Sequence, residues 1–330
     1  MQQLELRVIT GKDVRRLLPY PTCVEAVAGA MRAVSSGRTV MPLRQIMRLP
    51  GGQGALGVMP GYLGDPECFG IKLLSLFPGN PAVGLSSHLG LYLLCEVGNG
   101  RPLALMEASA LTAIRTAAAS VVATRALARP DSRVLAVIGT GEEAGSHVEA
   151  FQAVRPFETL LVWGRNAAAA ERLADRSRRL GFGTVRVVPD VRDALAEADV
   201  VCTVTASKDP LLYGADVRPG THLCLVGASI PSCREVDDAC VAMSRFYVDY
   251  RASAMAQAGE LLHAIGEGVV TEAHIVAEIG EVLAGTAPGR HSASEVTVYK
   301  SLGVAAQDLA AASIVYRRAV ELGLGTLTPI

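Results

Sequence analysis

From residue 133 onward the chain alternates short, continuously apolar runs with helix-spaced segments, and this alternation narrows the fold more than any other feature. The strand candidates are RVLAVIG (133–139), TLLVWG (159–164), TVRVV (184–188), DVVCTVT (199–205), HLCLVGA (222–228) and FYVDY (246–250). Helical patterns fill 142–154, 166–180 and 191–197. Strands that are apolar on both faces and separated by helices predict a parallel sheet covered on both sides, the doubly wound α/β architecture. The pattern places this domain at 126–302.

The first strand of that series runs into VIGTGEEAG, which sets Gly139, Gly141 and Ala144 in a G-x-G-x-x-A arrangement ahead of a helix. The first glycine permits the tight turn. The second lets backbone approach a pyrophosphate, whose charge sits at the helix N-terminus. The small third residue allows helix and strand to pack closely. With a strand, a helix and a second strand all in order, the segment reads as a Rossmann-type dinucleotide site rather than a plain turn. Thr140, Glu142 and Glu143 belong to the same loop. Two glutamates suit the helix dipole but would repel a nearby phosphate.

The second strand ends in Trp163-Gly164-Arg165-Asn166. An acidic residue there would bind the ribose 2′-hydroxyl of NAD, whereas an arginine accommodates a 2′-phosphate. Arg165 therefore predicts NADPH as the preferred cofactor, with NADH as the second option. The bland alternative is a solvated loop arginine. Thr205, Ala206 and Ser207 close another strand, where the adenosine side of the cofactor is expected.

Residues 1–125 have a different rhythm. Helices are predicted at 11–19, 21–36 and 109–129, and strands at 40–48, 55–59, 69–77, 89–95 and 102–107, separated by Gly/Pro/Asn turns. The apolar-patterned tail from 303 predicts a helix that packs back onto this part. Together, 1–125 and 303–330 form an expected α+β domain. Half of the 330 residues are hydrophobic, 19% are charged and the net charge is −1. With no basic stripe, nucleic acid and membrane surfaces are poor partners, and function is expected from a pocket. The seven cysteines have no CxxC spacing, which predicts reduced core thiols and no metal site. The mixed, charged N-terminus predicts no secretory leader, and no apolar run reaches the roughly 18 residues of a membrane span. A cytoplasmic protein is the expectation.

Several segments resemble the ornithine cyclodeaminase/μ-crystallin family: MPLR (41–44), GIK (70–72), FPGNP…GLSSHLG (77–90), LTAIRTAAAS (111–120), IGTGEEA (138–144), TVTAS (203–207), PGTHLCLVGAS (219–229), GE (259–260) and EVTVYKSLGVAAQDLAAA (295–312). The resemblance implies a homodimer in which the first domain supplies both the dimer interface and the substrate groups, with an amino acid or its imine as substrate. By position, Arg44 and Arg115 would hold the substrate carboxylate and Lys72 would be the catalytic lysine. The residue types fit these roles. Arginine presents a planar fork to a carboxylate. A lysine in the apolar stretch KLLSLF has its charged form disfavoured, which suits proton exchange with an imine nitrogen. By the same resemblance Ser87 and His88 fall close to nicotinamide and substrate; Thr116, beside Arg115, is expected at the cofactor phosphates, Arg115, Gly227, Ser229 and Lys300 are further cofactor-side candidates, and Ser229 is also a catalytic candidate.

One departure separates branches of the family. Ornithine cyclodeaminases carry an aspartate where this chain has Ser229, in Val226-Gly227-Ala228-Ser229. Serine offers neither a charge for a distal ammonium nor a base at neutral pH. The pattern is similar to the ketimine reductases of the μ-crystallin branch. The expected activity is therefore reduction of a ketimine carboxylate, such as pyrroline-2-carboxylate or piperideine-2-carboxylate, to an L-amino acid, with Ser229 lining the pocket. The alternatives are ornithine cyclodeaminase itself, an alanine-type amino-acid dehydrogenase, and a non-catalytic NADPH-dependent ligand binder.

Overall fold

A computed structural model describes residues 4–330; residues 1–3 of the expected first domain lie outside the described residues. The chain divides into two compact units, Met1–Arg115 with Val304–Ile330, and Thr116–Gly303. The first division falls inside the helix Ala108–Leu127, ten residues before the boundary expected at 125.

The second unit is an eight-stranded, wholly parallel sheet. Its order is Thr184–Val187, Thr159–Trp163, Val134–Ile138, Val200–Thr203, His222–Leu225, Val296–Lys300, Ser244–Val248 and Ile275–Glu278. The order reverses about Val134–Ile138, the switch point at which a doubly wound sheet opens a crevice at the strand C-termini. The alternating pattern thus gives the α/β fold expected from it. Ala136, Ile138, Leu161, Val201, Leu223, Leu225 and Val298 are all fully shielded from solvent within one apolar core, as strands covered on both faces must be. Two strands of this sheet, Ile275–Glu278 and Val296–Lys300, lie outside the six expected. The run VTVYK is rich in β-branched and aromatic residues, a signal that its sequence carries.

The first unit is built on a second sheet. Its order is Thr326–Pro329, Glu5–Ile9, Pro102–Glu107, His88–Cys95, Glu67–Leu76, Ala55–Gly64 and Thr39–Val40, with Gln45–Arg48 also paired to Ala55–Gly64. All pairs are antiparallel except Glu5–Ile9 with Pro102–Glu107. The expected single strand 40–48 is in fact two short ones. Pro42, which lacks an N–H for the ladder, sits in the gap between them. Helices Tyr20–Ser35 and Ala305–Glu321 pack on one another, and the latter also packs on strands Ala55–Gly64 and Glu67–Leu76. Gly61 makes that approach feasible, because a Cβ there would lie 2.7 Å from the Cβ of Ala305.

Alternation along the strands sorts the residues of this sheet. Cys68, Gly70 and Lys72 face the helices, and Lys72 is in register with Met59 on one side and Tyr92 on the other. The opposite face carries the register rows Val58–Leu73–Leu91 and Met47–Leu56–Ser75–Leu89. Met47, Leu73, Leu89 and Leu91 are exposed there.

Candidate active site

In the second unit, strand Val134–Ile138 delivers the chain into Gly139, whose φ of 132° is open only to glycine. A Cβ at Gly139 would lie 2.7 Å from the Val204 carbonyl oxygen, so the turn is pressed against the loop that follows the next strand. Gly141 is the N-cap of helix Glu142–Val154 and has no side-chain cap. A Cβ added at Gly141 meets nothing within 4 Å. Ala144 is fully buried. Uncapped helix N–H groups facing open space beside a glycine are what a pyrophosphate needs, so this chain's residues fit a dinucleotide. Thr140 packs against Gly164, where a Cβ would come within 2.4 Å of its methyl. The Glu143 carboxylate approaches His147 Nδ1 at 3.8 Å, and His147 Nε2 lies 2.9 Å from the Ser120 hydroxyl. Arg165 is exposed at the end of Thr159–Trp163, and Asn166 caps the following helix by accepting the Ala169 N–H. Thr116 is buried in helix Ala108–Leu127.

In the same unit, the loops Val204–Ser207 and Val226–Ser229 leave adjacent strands Val200–Thr203 and His222–Leu225. Ser229 is half-buried and Ala206 is exposed. Thr205 gives its N–H and its hydroxyl to Glu235, and its hydroxyl oxygen accepts the Ser207 N–H. Lys300 is fully buried, with Nζ 2.5 Å from the Ala228 carbonyl oxygen and 3.1 Å from Glu260 Oε2. Lys300, expected on the cofactor side, has its ammonium engaged by the protein's own loop and by Glu260. Thr205, Ala206 and Ser207 are the residues expected on the adenosine side of a cofactor. They follow a strand on the other side of Val134–Ile138 from Thr159–Trp163, which bears Arg165.

The first unit holds a compact charge cluster. Lys72 Nζ lies 2.7 Å from Asp308 Oδ2, and Arg115 Nε lies 2.8 Å from Asp308 Oδ1. Arg115 Nη1 also donates to Gln307 Oε1 at 3.1 Å. Lys72, Asp308 and Gln307 are shut off from solvent and Arg115 is nearly so. Burial lowers the Lys72 pKa to about 8. The nearby Arg115 and Arg44 push it the same way, and Asp308 opposes them. Burial drives Asp308 up, but Arg115 and Lys72 together outweigh it and hold the carboxyl below its ordinary range. Lys72 and Arg115 both pair with the Asp308 carboxylate, and Arg44 lies near enough to act electrostatically on Lys72, so the cluster is rich in cations. His88 begins the strand that carries Tyr92 on the same face, and its Nδ1 lies 2.9 Å from the Ser87 hydroxyl.

Asp308 and Glu235 are not among the residues to which the sequence assigns a role, and Glu260 stands out only within the GE match. Asp308 and Glu260 are acidic residues in apolar or small-residue settings (AAQDLAAA and AGELLHA), and an acid placed where a core residue belongs is the signal that could have found them, whereas Glu235 lies in the charged run SCREVDD and gives no such signal. Among the described residues, no group of three or more His, Cys, Asp or Glu is arranged to hold a metal ion, and the seven cysteines are free thiols. No helix among them is long and apolar enough to cross a membrane.

The model of the Ornithine cyclodeaminase/mu-crystallin family matches residues 5–323. The ketimine reductase mu-crystallin of Mus musculus is 37% identical over 293 residues, which cover 89% of this chain and 90% of that protein. The structure of Thermococcus litoralis Delta(1)-pyrroline-2-carboxylate reductase in complex with NADH and L-proline superposes with a TM-score of 0.94 at 35% identity, covering 97% of this chain and 99% of that one. An archaeal alanine dehydrogenase dimer with bound NAD gives 0.93 at 31% identity, over 99% and 100% of the two chains. The chain belongs to the ornithine cyclodeaminase/mu-crystallin family.

Proposed function

We propose that the protein is an NAD(P)H-dependent reductase of ketimine carboxylates, with NADPH preferred, forming L-amino acids from substrates such as pyrroline-2-carboxylate or piperideine-2-carboxylate. The observation that carries this reading is the buried Lys72–Asp308–Arg115 cluster, held in a chain that also has a complete dinucleotide turn. Its relatives include a ketimine reductase and a pyrroline-2-carboxylate reductase.

The overall change adds a hydride to the imine carbon and a proton to the imine nitrogen, and uses one NADPH and one proton. A reduced nicotinamide, when bound at the glycine turn, supplies the two-electron hydride. Everything else falls to side chains. Arg44 and Arg115 bind the substrate carboxylate, Arg115 through a guanidinium whose orientation Asp308 and Gln307 fix. Lys72, with a pKa near 8, is protonated at neutral pH yet gives up its proton readily, and it donates to the nitrogen. Asp308 keeps Nζ in place and favours its reprotonation afterwards. His88 begins a strand of the sheet that carries Lys72, Ser87 directly precedes it, and the two are assigned to substrate and cofactor contact, respectively. Thr116, Gly139, Thr140, Gly141, Glu142, Glu143, Ala144, Gly164 and Asn166 form the cofactor side, with Thr205, Ala206, Ser207 and Gly227. Exposed Arg165, at the strand end where NAD-specific sites place an acid, supports the NADPH preference.

Ser229 disfavours the cyclodeaminase reading, since no carboxylate stands there to take up a distal ammonium. A homodimer is proposed because a row of exposed apolar residues, Met47, Leu73, Leu89 and Leu91, covers the sheet face away from the helices. The proposal is tested by following NADPH absorbance with cyclic ketimine carboxylates, with pyruvate plus amines, and with ornithine. Imine-dependent oxidation of NADPH supports it. Ammonia release from ornithine without net cofactor change contradicts it.

A further inference from the structure

Two loops that end adjacent strands of the parallel sheet are tied to one buried carboxylate, Glu235. Five donors converge on it. Oε1 accepts the Thr205 N–H at 2.8 Å and the Thr205 hydroxyl at 2.7 Å. Oε2 accepts the Thr203 hydroxyl at 2.7 Å, the Gly227 N–H at 2.7 Å and the Ala228 N–H at 3.3 Å. Glu235 in turn gives its backbone N–H to Glu260 Oε1 at 3.2 Å, and Glu260 is paired with Lys300. Lys300 closes the circuit by donating to the Ala228 carbonyl oxygen, so the Ala228 residue is gripped at both its N–H and its C=O. Glu235, Glu260 and Lys300 have no solvent exposure.

The packing leaves the loops no alternative course. A Cβ at Gly227 would lie 2.0 Å from the Thr205 carbonyl oxygen and 2.5 Å from Glu235 Oε1. A Cβ at Gly259 would lie 2.0 Å from the Cys233 carbonyl oxygen. The pair Gly259-Glu260 is thereby accounted for: the glycine admits the neighbouring backbone and the glutamate anchors it. The strand order fixes what these loops serve. Arg165 lies on one side of the Gly139 turn, so with the adenosine ribose assigned to that side the other half of a dinucleotide would extend over the ends of Val200–Thr203 and His222–Leu225. Val204, in the first loop, abuts Gly139.

We propose that Glu235 is a positioning residue for the cofactor, holding Val204–Ser207 and Val226–Ser229 in the shape that receives its nicotinamide half. The inference rests on the dinucleotide reading of the Gly139–Ala144 turn, not on the identity of the substrate. Glu235 itself is fully buried, so it would act through the loops it holds. Because all five of its partners are donors, an isosteric amide cannot replace it: one end of glutamine would present N–H to N–H.

The test is a fluorescence titration of the intact protein with NADPH and with NADH, run beside steady-state kinetics, on Glu235→Gln and on the milder Thr203→Val. Thr203 is a fully buried strand residue, and its change removes one of the five donors. A weakening of NADPH binding of about tenfold in Glu235→Gln and about threefold in Thr203→Val is expected, with the imine KM at saturating NADPH within about twofold of the parent. NADPH affinity unchanged in Thr203→Val, or in a folded Glu235→Gln, overturns the proposal. So does an equal rise in the imine KM, the mark of general loosening. If Glu235→Gln does not fold, Thr203→Val alone decides. Parent protein that binds NADPH but reduces no imine would refute the proposed activity while leaving this titration decisive.

Discussion

The Lys72 ammonium and the Asp308 carboxylate form an ion pair 2.7 Å long in which neither side chain reaches solvent. Removing two charges from water is costly, and a buried pair of this kind is often no more stable than an apolar replacement. Its value here is chemical. Burial lowers the lysine to about 8, and the aspartate stops it from falling further.

The pH dependence follows from the sign of that shift. The Lys72 pKa drops from its ordinary 10.5 to about 8, and proton donation needs the charged form. Imine reduction should be sustained below that value and decline as pH rises through about 8, with kcat/KM falling about tenfold per unit beyond it. Amine oxidation needs neutral Lys72 and should rise over the same window. Initial rates in both directions between pH 6 and pH 10 check this.

Asp308→Asn should move the alkaline limb to lower pH, because the carboxylate is what raises the lysine against burial and against Arg115 and Arg44. A loss in kcat of about a hundredfold at pH 7 is expected, as for removal of a general acid. The uncompensated lysine should also cost on the order of 3 kcal/mol of stability while it remains charged. A pH–rate profile and denaturant unfolding at two pH values separate the effects. A mutant with an unshifted limb would show that Asp308 does not tune Lys72.

Arg165→Ala should raise the KM for NADPH about tenfold, about 1.4 kcal/mol, and leave that for NADH within about twofold. The exposed guanidinium has no core to support, so folding should be unchanged. Equal effects on both cofactors would place the 2′-phosphate elsewhere.

Much of this was legible in the chain itself. The parallel sheet follows from apolar strands alternating with helices, and the glycine turn from three small residues at fixed spacing. Lys72, Arg44 and Arg115 were found through motifs, and the structure places their charges within electrostatic reach of one another. What the sequence did not disclose is carried by contacts distant along the chain. Asp308 is 236 residues from Lys72, and Glu235 takes donors from two other loops. Local pattern cannot show which buried acid meets which base. The inward course of Lys300 is set in the same way, by its distant partners Ala228 and Glu260. Strand Val296–Lys300 was hidden by its position after a long irregular stretch, despite its β-branched composition.

Leu73→Glu together with Leu91→Glu should convert the proposed dimer to a monomer. The two residues are cross-strand partners on the exposed apolar face, so paired like charges there oppose both the interface and each other. Sedimentation velocity at micromolar concentration reads the outcome. A variant with the parent's mass in solution would show that this face is not the interface.

The proposed role of Lys72 as proton donor in ketimine reduction is decided by single-turnover reduction of piperideine-2-carboxylate by NADPH-loaded protein. The parent protein should consume NADPH in step with formation of the L-amino acid. Lys72→Met, which keeps the bulk of the buried side chain without its charge, should bind NADPH with parental affinity and turn over at least about a thousandfold more slowly. Parental turnover by Lys72→Met, or no reduction by the parent protein, would contradict the account.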